Sequence, residues 1–304
     1  MISRKIKALK NFFEKGIIDG YVVPKNDEFF SEFSKIDRLK IISNFSGSAG
    51  YAVILKKKNY LFVDGRYTTQ AQIESGKNFI ITDYHKIVNC DLFKNLTLGI
   101  NPKLFTSNQI KKYFLKNNKI KLIKTDLIKH NSEKKLNHSR PFFSLDKHIV
   151  GESHKKKINK IINFLKRNKS NFIFITAPEN VAWLLNIRGY DNPNSPIPNC
   201  HLLLDRKKNF YLITDKRKTK NLIKEKKIKP SQIIDPNNFQ LLIKKLNGNK
   251  IIIDSKTCSI FYEKILKTKF KISSKEDPIY MLKAIKNKKE IHNMIDAHIS
   301  DGLA

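Results

Sequence analysis

The stretch that decides the fold runs from Ile42 to Leu55, ISNFSGSAGYAVIL, and resumes from Tyr60 to Gln72, YLFVDGRYTTQAQ. Gly47 and Gly50 bracket two small residues just ahead of the apolar run Tyr51 to Leu55, and a second apolar run, Tyr60 to Val63, returns after a short polar reverse. A glycine turn that feeds one strand and then another predicts an antiparallel hairpin. Glycine at 47 and 50 is expected to allow positive φ and close backbone approach where the strand begins. Asp64-Gly65 then supplies a cap and a turn, so a helix is predicted from Tyr67 to Glu74. The GxxG pattern is not a phosphate loop or a KH clamp, because no Gly-Lys-Ser/Thr opens a helix and the turn leads into a strand. It is not a nucleophile elbow either, since the GxSxG spacing is missing.

Outward from this hairpin the chain reads as two successive α/β units. In the first, a helix over Lys5 to Lys15, with Ile6, Leu9, Phe12 and Phe13 at helical spacing and Gly16 as its cap, precedes the strand Gly20 to Val23. After the hairpin come strands Phe79 to Asp83, Leu98 to Ile100 and Lys121 to Thr125, with a helix opening at Ser107. In the second, a helix from Glu152 to Arg167 puts Ile158, Ile161, Ile162 and Leu165 on one face. The strand Phe172 to Thr176, the short helix Asn180 to Asn186, a Pro- and Asn-rich loop Gly189 to Pro198 and the hairpin His201–Leu204/Phe210–Thr214 follow. A helix Lys216 to Lys226, the strand Ile251 to Asp254 and a helix Thr257 to Leu266 close the unit. Helices alternate with strands, and the hairpins make each sheet mixed. The polar segment Lys129 to Lys147, with Pro141 and no periodicity, is the expected linker.

The composition bounds the function. The chain has 304 residues, 40% hydrophobic, enough for two packed cores. No run approaches the ~18 apolar residues of a membrane span, and the start MISRKIKALKNFFEKG lacks the pattern of a signal peptide. Cys90, Cys200 and Cys258 show no CxxC spacing, which fits a reducing cytoplasm. The formal charge of +33 invites a nucleic-acid reading. Two observations argue against it: only eight of the 60 basic residues are Arg, the better bidentate reader of phosphate and guanine, and the lysines spread along the whole chain.

The quoted stretch resembles the Xaa-Pro aminopeptidase (aminopeptidase P) family. So do DGYVVPKNDEFFSEF at Asp19 to Phe33, ENVAWLLNIRGYD at Glu179 to Asp191, PIPNCHLLLD at Pro196 to Asp205, and PIYMLKAIKNKKEIHNMIDAHISDGLA at Pro278 to Ala304. These stand in family order over nearly the whole chain. The resemblance implies two consecutive creatinase N-terminal-like domains, each a mixed sheet flanked by helices, at 1–130 and 148–276 with a linker at 131–147. Residues 277–304 would be the first helix of a pita-bread catalytic domain, so a truncation is expected. The family's two metal ions, manganese by expectation, are held by two Asp, one His and two Glu beyond the point matching Ala304, where they polarise the scissile carbonyl and supply hydroxide. No residue here inherits a catalytic or metal-binding role and no cofactor is expected in this chain.

Four residues stand out as contacts at a substrate rim or interface. Arg66 and Tyr67 follow the Asp64 corner, where Arg66 could clamp a carboxylate, although an ion pair within the chain would also account for it. Arg188 and Asp191 head a Pro-containing loop of the kind that lines clefts, and the resemblance implies that this loop faces the catalytic domain. Trp183 reads as core packing. His292, Asp296, His298 and Asp301 share one helical stretch, but only His292 and Asp296 are i,i+4 neighbours, so three ligands do not converge.

The expectation is therefore the N-terminal portion of a cytoplasmic enzyme that removes an N-terminal residue preceding proline. Such a portion contributes oligomerisation and an active-site rim, has a peptide with proline at its second position as the whole enzyme's substrate, and forms a homo-oligomer without membrane or nucleic acid. The alternatives are a stand-alone binding or regulatory module that pairs with a full-length homologue, and, third, a basic nucleic-acid-binding protein. The segment after Lys286, apolar at Ile291, Met294, Ile295 and Ile299, is expected to be mobile or self-associating by itself. Limited proteolysis is expected to cut first within Lys129 to Lys147 and leave two protected fragments; one resistant core spanning both halves would contradict the two-unit reading.

Overall fold

The computed structural model describes residues 2–14, 16–31, 36–88, 91–128 and 140–303. The chain divides into two compact units. One comprises the residues up to Asn137 with Ser259–Tyr262, and the other His138–Cys258 with Glu263–Ala304.

The first unit begins with α1 (Ile2–Glu14), which sends Ile6, Leu9 and Phe13 into a core, and Gly16 follows in the left-handed region. Then come β1 (Gly20–Pro24), α2 (Arg38–Ser43), β2 (Gly50–Leu55), β3 (Asn59–Val63), α3 (Thr68–Ser75), β4 (Ile80–Asp83), β5 (Thr97–Ile100), α4 (Ser107–Tyr113) and β6 (Lys119–Leu122). The sheet order is β4-β3-β2-β1-β5-β6. β2 runs antiparallel to both β1 and β3, and the remaining pairs are parallel. Every residue of β1 is buried, because helices cover both faces. The period of two sorts the central side chains cleanly. Tyr21, Val23, Ala52, Ile54, Leu61 and Val63 enter one core, and Val22, Tyr51, Val53, Tyr60 and Phe62 enter the other. Asp37 caps α2 by accepting from the Lys40 amide, and Thr106 and Gln109 close a reciprocal box on α4.

The second unit contains β7 (Phe143–Ser144), α5 (Lys147–Val150), α6 (His154–Arg167), β8 (Phe172–Ile175), α7 (Pro178–Leu185), β9 (Ile187–Arg188), β10 (His201–Asp205), β11 (Phe210–Ile213), α8 (Lys220–Lys224) and β12 (Ile233–Ile234). It continues with α9 (Phe239–Lys245), β13 (Lys250–Ile253), α10 (Ile260–Lys267, of which Ile260–Tyr262 fall in the first unit), β14 (Lys271–Ser274), α11 (Ile279–Ala284) and α12 (Lys288–Leu303). Its main sheet runs β12-β11-β10-β8-β13-β14, with β10 antiparallel to both neighbours and the other pairs parallel. Numbered within each sheet, both units have the order 4-3-2-1-5-6 with the same strand directions, so the chain carries the same topology twice. No short sequence period announces this repeat.

Several expectations need adjustment. Residues 129–139 of the expected linker lie outside the described residues. Of the remainder, Phe142 is fully buried in the second unit's core, and Phe143–Ser144 pair with Ile187–Arg188. Asp277 and Ile279, expected at the opening of another domain, are buried in the second unit. Burial raises the thiol pKa of Cys200 and Cys258 above the usual range; Cys90 lies outside the described residues.

Gly47 and Gly50 are not in the left-handed region, contrary to expectation. Their second expected role, close backbone approach, holds at Gly50, whereas Gly47 makes room for a side chain. A Cβ on Gly50 would stand 2.8 Å from the Phe62 carbonyl oxygen, and one on Gly47 2.2 Å from the Phe45 ring. Gly50→Ala is therefore expected to destabilise the protein by about 1–3 kcal/mol in urea unfolding. Gly65→Ala, where a Cβ meets nothing within 4 Å, should shift stability by no more than about 0.5 kcal/mol. Equal effects of the two substitutions would refute the close-approach account.

Candidate functional site

In the first unit, Asp64 caps a single 3-10 turn, Gly65–Tyr67, by accepting from the Arg66 amide, and Arg66 Nε returns to the same carboxylate at 2.9 Å. The hydrogen bonds from Arg66 hold the Asp64 carboxyl below its usual range. The Arg66 side chain is nevertheless 77% exposed, so the ion pair within the chain forms and most of the guanidinium still faces solvent. Tyr67 turns inward, with its hydroxyl 2.8 Å from Ser48 Oγ and its ring edge-on to Phe45. The GSAG turn is thus latched to the Asp64 corner. Asp215 and Arg217 repeat this cap after the third strand of the second sheet, again with an Arg amide and guanidinium on one carboxylate. The Asp-x-Arg spacing is therefore a structural signature of the fold in both units, and the Ser48–Tyr67 contact is its addition in the first.

In the second unit, a cleft of about 330 Å³ opens beside the C-terminus of α7, lined among others by Lys157, Trp183, Asn186, Arg188, Lys283, Lys286 and Glu290. Asn186 ends α7 in the left-handed conformation. The last carbonyls of the helix, at its negative end, attract three cations. Lys157 Nζ donates to Trp183 O at 3.0 Å and to Asn186 Oδ1 at 2.7 Å, Arg188 Nη1 reaches Ala182 O, and Lys227 Nζ donates to Asn186 O. Lys157 also stands 4.0 Å from the centre of the Trp183 ring. Burial lowers the Lys157 pKa to about 8 and also depresses that of Arg188. Trp183, expected in the core, is only partly buried and donates its indole N–H to Glu290 Oε1 at 3.1 Å.

Asp191 is committed inward. It accepts from Lys218 Nζ at 2.6 Å and from the Asn199 amide at 2.7 Å, and so pins the loop that Arg188 opens. Of that pair, Arg188 lines the cleft and Asp191 holds its rim in place. Next to it Tyr190 is half exposed, stacked on Phe143 and under the Arg140 guanidinium.

A second group escaped sequence reasoning. Asp277 follows β14, accepts from the Ile279 amide and from Asn180 Nδ2, and donates its own amide to Asp254 Oδ2. Asn180 Oδ1 in turn accepts from Lys283 Nζ, and Tyr280 donates to Glu179 Oε1. These bonds join the ends of β13 and β14 to the start of α7. Past them, Asn287 and Glu290 cap α12 reciprocally, and Asn287 and Asn293 donate to the carbonyls of Val150 and Ile149. The helix expected to lie loose after Lys286 is tied to the second unit at its N-terminal half, while Ile291, Met294, Ile295 and Ile299 stay exposed. Among the described residues no three of His, Cys, Asp and Glu stand close enough to hold a metal ion. His292 and Asp296 approach to 3.5 Å as an exposed pair. The described residues do not fit a two-metal centre.

Two family models match in succession, both describing the creatinase/prolidase N-terminal domain, over residues 5–129 and 132–290. The chain belongs to this family. It is 30% identical over 211 residues to a probable Xaa-Pro aminopeptidase P of Coprinopsis cinerea, a stretch covering 64% of this chain and 34% of that protein. Over 231 residues it is 30% identical to Xaa-Pro aminopeptidase 1 of Dictyostelium discoideum, covering 68% and 37%. The chain thus spans about a third of the length of the curated relatives it matches. Among solved structures it is similar to the X-prolyl aminopeptidase of Caenorhabditis elegans, described as a cytosolic enzyme with a di-nuclear active site. The TM-score is 0.84 at 22% identity, over 98% of this chain and 54% of that one. Among the described residues no helix is long and apolar enough to cross a membrane.

Desolvation, partly offset by its hydrogen bonds, raises the Asp277 pKa to about 6 from 3.8. A carboxyl with a higher pKa folded than unfolded binds more protons in the folded state between these values, so its contribution to stability falls as pH rises across that window. Asp277→Asn keeps an acceptor for the Ile279 amide and removes the charge. The stability of the unsubstituted protein relative to this variant is expected to fall by on the order of 3 kcal/mol between pH 4 and pH 7. Parallel stability–pH curves from urea unfolding would refute it.

Proposed function

We propose that the chain forms the two N-terminal domains of a cytoplasmic, metal-dependent Xaa-Pro aminopeptidase, which removes an N-terminal residue preceding proline. In this reading the domains serve assembly and the active-site rim, with Arg66, Tyr67, Arg188 and Asp191 as rim or interface residues. Hydrolysis falls to a separate domain that binds two divalent ions, manganese in our reading. One observation carries the proposal: two creatinase-type family models match in succession along a chain whose curated relatives are Xaa-Pro aminopeptidases. Two features support it. The cleft of the second unit is rimmed by Arg188 and shaped by the loop that Asp191 pins. The exposed apolar side of α12, a helix otherwise anchored by hydrogen bonds, is suited to lie against another domain.

The chain supplied with manganese is expected to release no residue from an Xaa-Pro-Pro peptide above the blank. Chelator-sensitive release would place a working metal centre within these residues and overturn the division of labour proposed here.

A further inference from the structure

Buried charges in proteins are ordinarily matched by charges of the opposite sign, and the cleft at the end of α7 departs from this rule. Four cations line it, Lys157, Arg188, Lys283 and Lys286, against the single carboxylate of Glu290. None of the four makes an ion pair among the described residues. Glu290 is engaged within the fold, Oε1 accepting from the Trp183 indole and Oε2 from the Asn287 amide. Glu152, the other carboxylate whose field reaches Lys157, pairs with Lys160. The end of α7 offers roughly half an elementary negative charge, shared among Lys157, Arg188 and Lys227. Lys157 is only 1% exposed, so its charge is held out of water with little to offset it.

Arg188 keeps donors in reserve. Its Nη1 donates to the carbonyls of Ala182 and Ile187, while Nε and Nη2 donate to nothing among the described residues. That leaves one side of the guanidinium open to a bidentate partner. The rest of the lining is largely apolar, with Leu145, Ile149, Val150 and Met294, and both Ile149 and Met294 stand exposed.

We infer that this cleft binds an organic carboxylate that carries an apolar body. The Arg188 fork takes the carboxylate, Lys157 and Lys283 add their field, and the apolar body covers Ile149 and Met294. Inorganic phosphate would leave the apolar lining wet, and a neutral apolar molecule would leave the cations unmatched, so the cleft selects for both features in one molecule. Its volume of about 330 Å³ limits that body to the size of a side chain. Such a group is offered by a free small acid or by the C-terminus of a peptide. The inference rests on this cleft alone and not on the peptidase reading, so either can fail without the other.

The test is calorimetric titration of the full chain with 4-methylpentanoate, with its primary amide and with inorganic phosphate. Saturable binding of the acid is expected, with a Kd on the order of 0.1 mM, and about tenfold weaker binding of the amide and of phosphate. Acetyl-Ala-Leu separates the two sources: tighter binding than the acid assigns the peptide C-terminus, and weaker binding assigns the free acid. Arg188→Gln should weaken the acid by about tenfold. Because Arg188 also holds backbone carbonyls, Met294→Glu serves as a second variant. It supplies the missing carboxylate from the chain itself, at an exposed position, and should weaken the acid by a similar factor without lowering thermal stability. Ile299→Glu, on the same helix but outside the lining, should leave the affinity unchanged. No saturable binding, an amide or phosphate that binds as well as the acid, or an affinity insensitive to both cleft variants overturns the inference.

Discussion

A strand buried at every position can be stable only in the middle of a sheet covered on both faces, and among the described residues each unit has one. β1 (Gly20–Pro24) and β8 (Phe172–Ile175) are buried throughout. Each takes an antiparallel hairpin on one side and parallel strands on the other, and each therefore needs helices above and below. From that requirement follow the two cores of the first unit, the amphipathic α1 and α6 that lie on the sheets, and the repeat of one topology. The Asp-x-Arg caps after the third strands are a local consequence. The strand must turn into a helix at the sheet boundary, and a carboxylate that accepts from both the backbone and the guanidinium holds that corner.

The parts of the fold that the sequence displayed are those where packing imposes a strong period. The alternation through Tyr51–Leu55 and Tyr60–Val63 predicted β2 and β3, and the face Ile158, Ile161, Ile162 and Leu165 predicted α6, to within a few residues. β12 and β14 were missed because an edge strand covered on one side leaves little pattern. β12 is two residues between prolines, and Ile272 is the one apolar residue in β14. α2 has six residues and is specified more by the Asp37 cap than by periodicity. β6 lies two to three residues earlier than predicted, since the lysines that alternate along it blur its ends.

The site was legible in outline only. Arg188 drew notice because it opens a proline-containing loop, and it does line the cleft. Lys157 was hidden in a run of three lysines, although it lies four residues before Ile161 and so on the buried face of α6. A lysine in register with a core stripe is a signal of its own, because its charge must find carbonyls or a ring once inside. It finds the end of α7. Asp277 was overlooked because family order assigned it to another domain, whereas its carboxylate accepts from Asn180 of α7 and its amide donates to Asp254 after β13. The first of these links joins elements about a hundred residues apart, and no local pattern reports it.

The chain has one tryptophan, and its surroundings give it a use. Trp183 has a buried ammonium over its ring and a carboxylate of α12 at its indole N–H. Its emission therefore responds to the local field of Lys157 and Glu290. Release of α12 from the second unit would take Glu290 away and leave Lys157 in place, changing the field on one side of the ring only. The protein thus carries an intrinsic optical reporter for the attachment of its last helix, readable without a label.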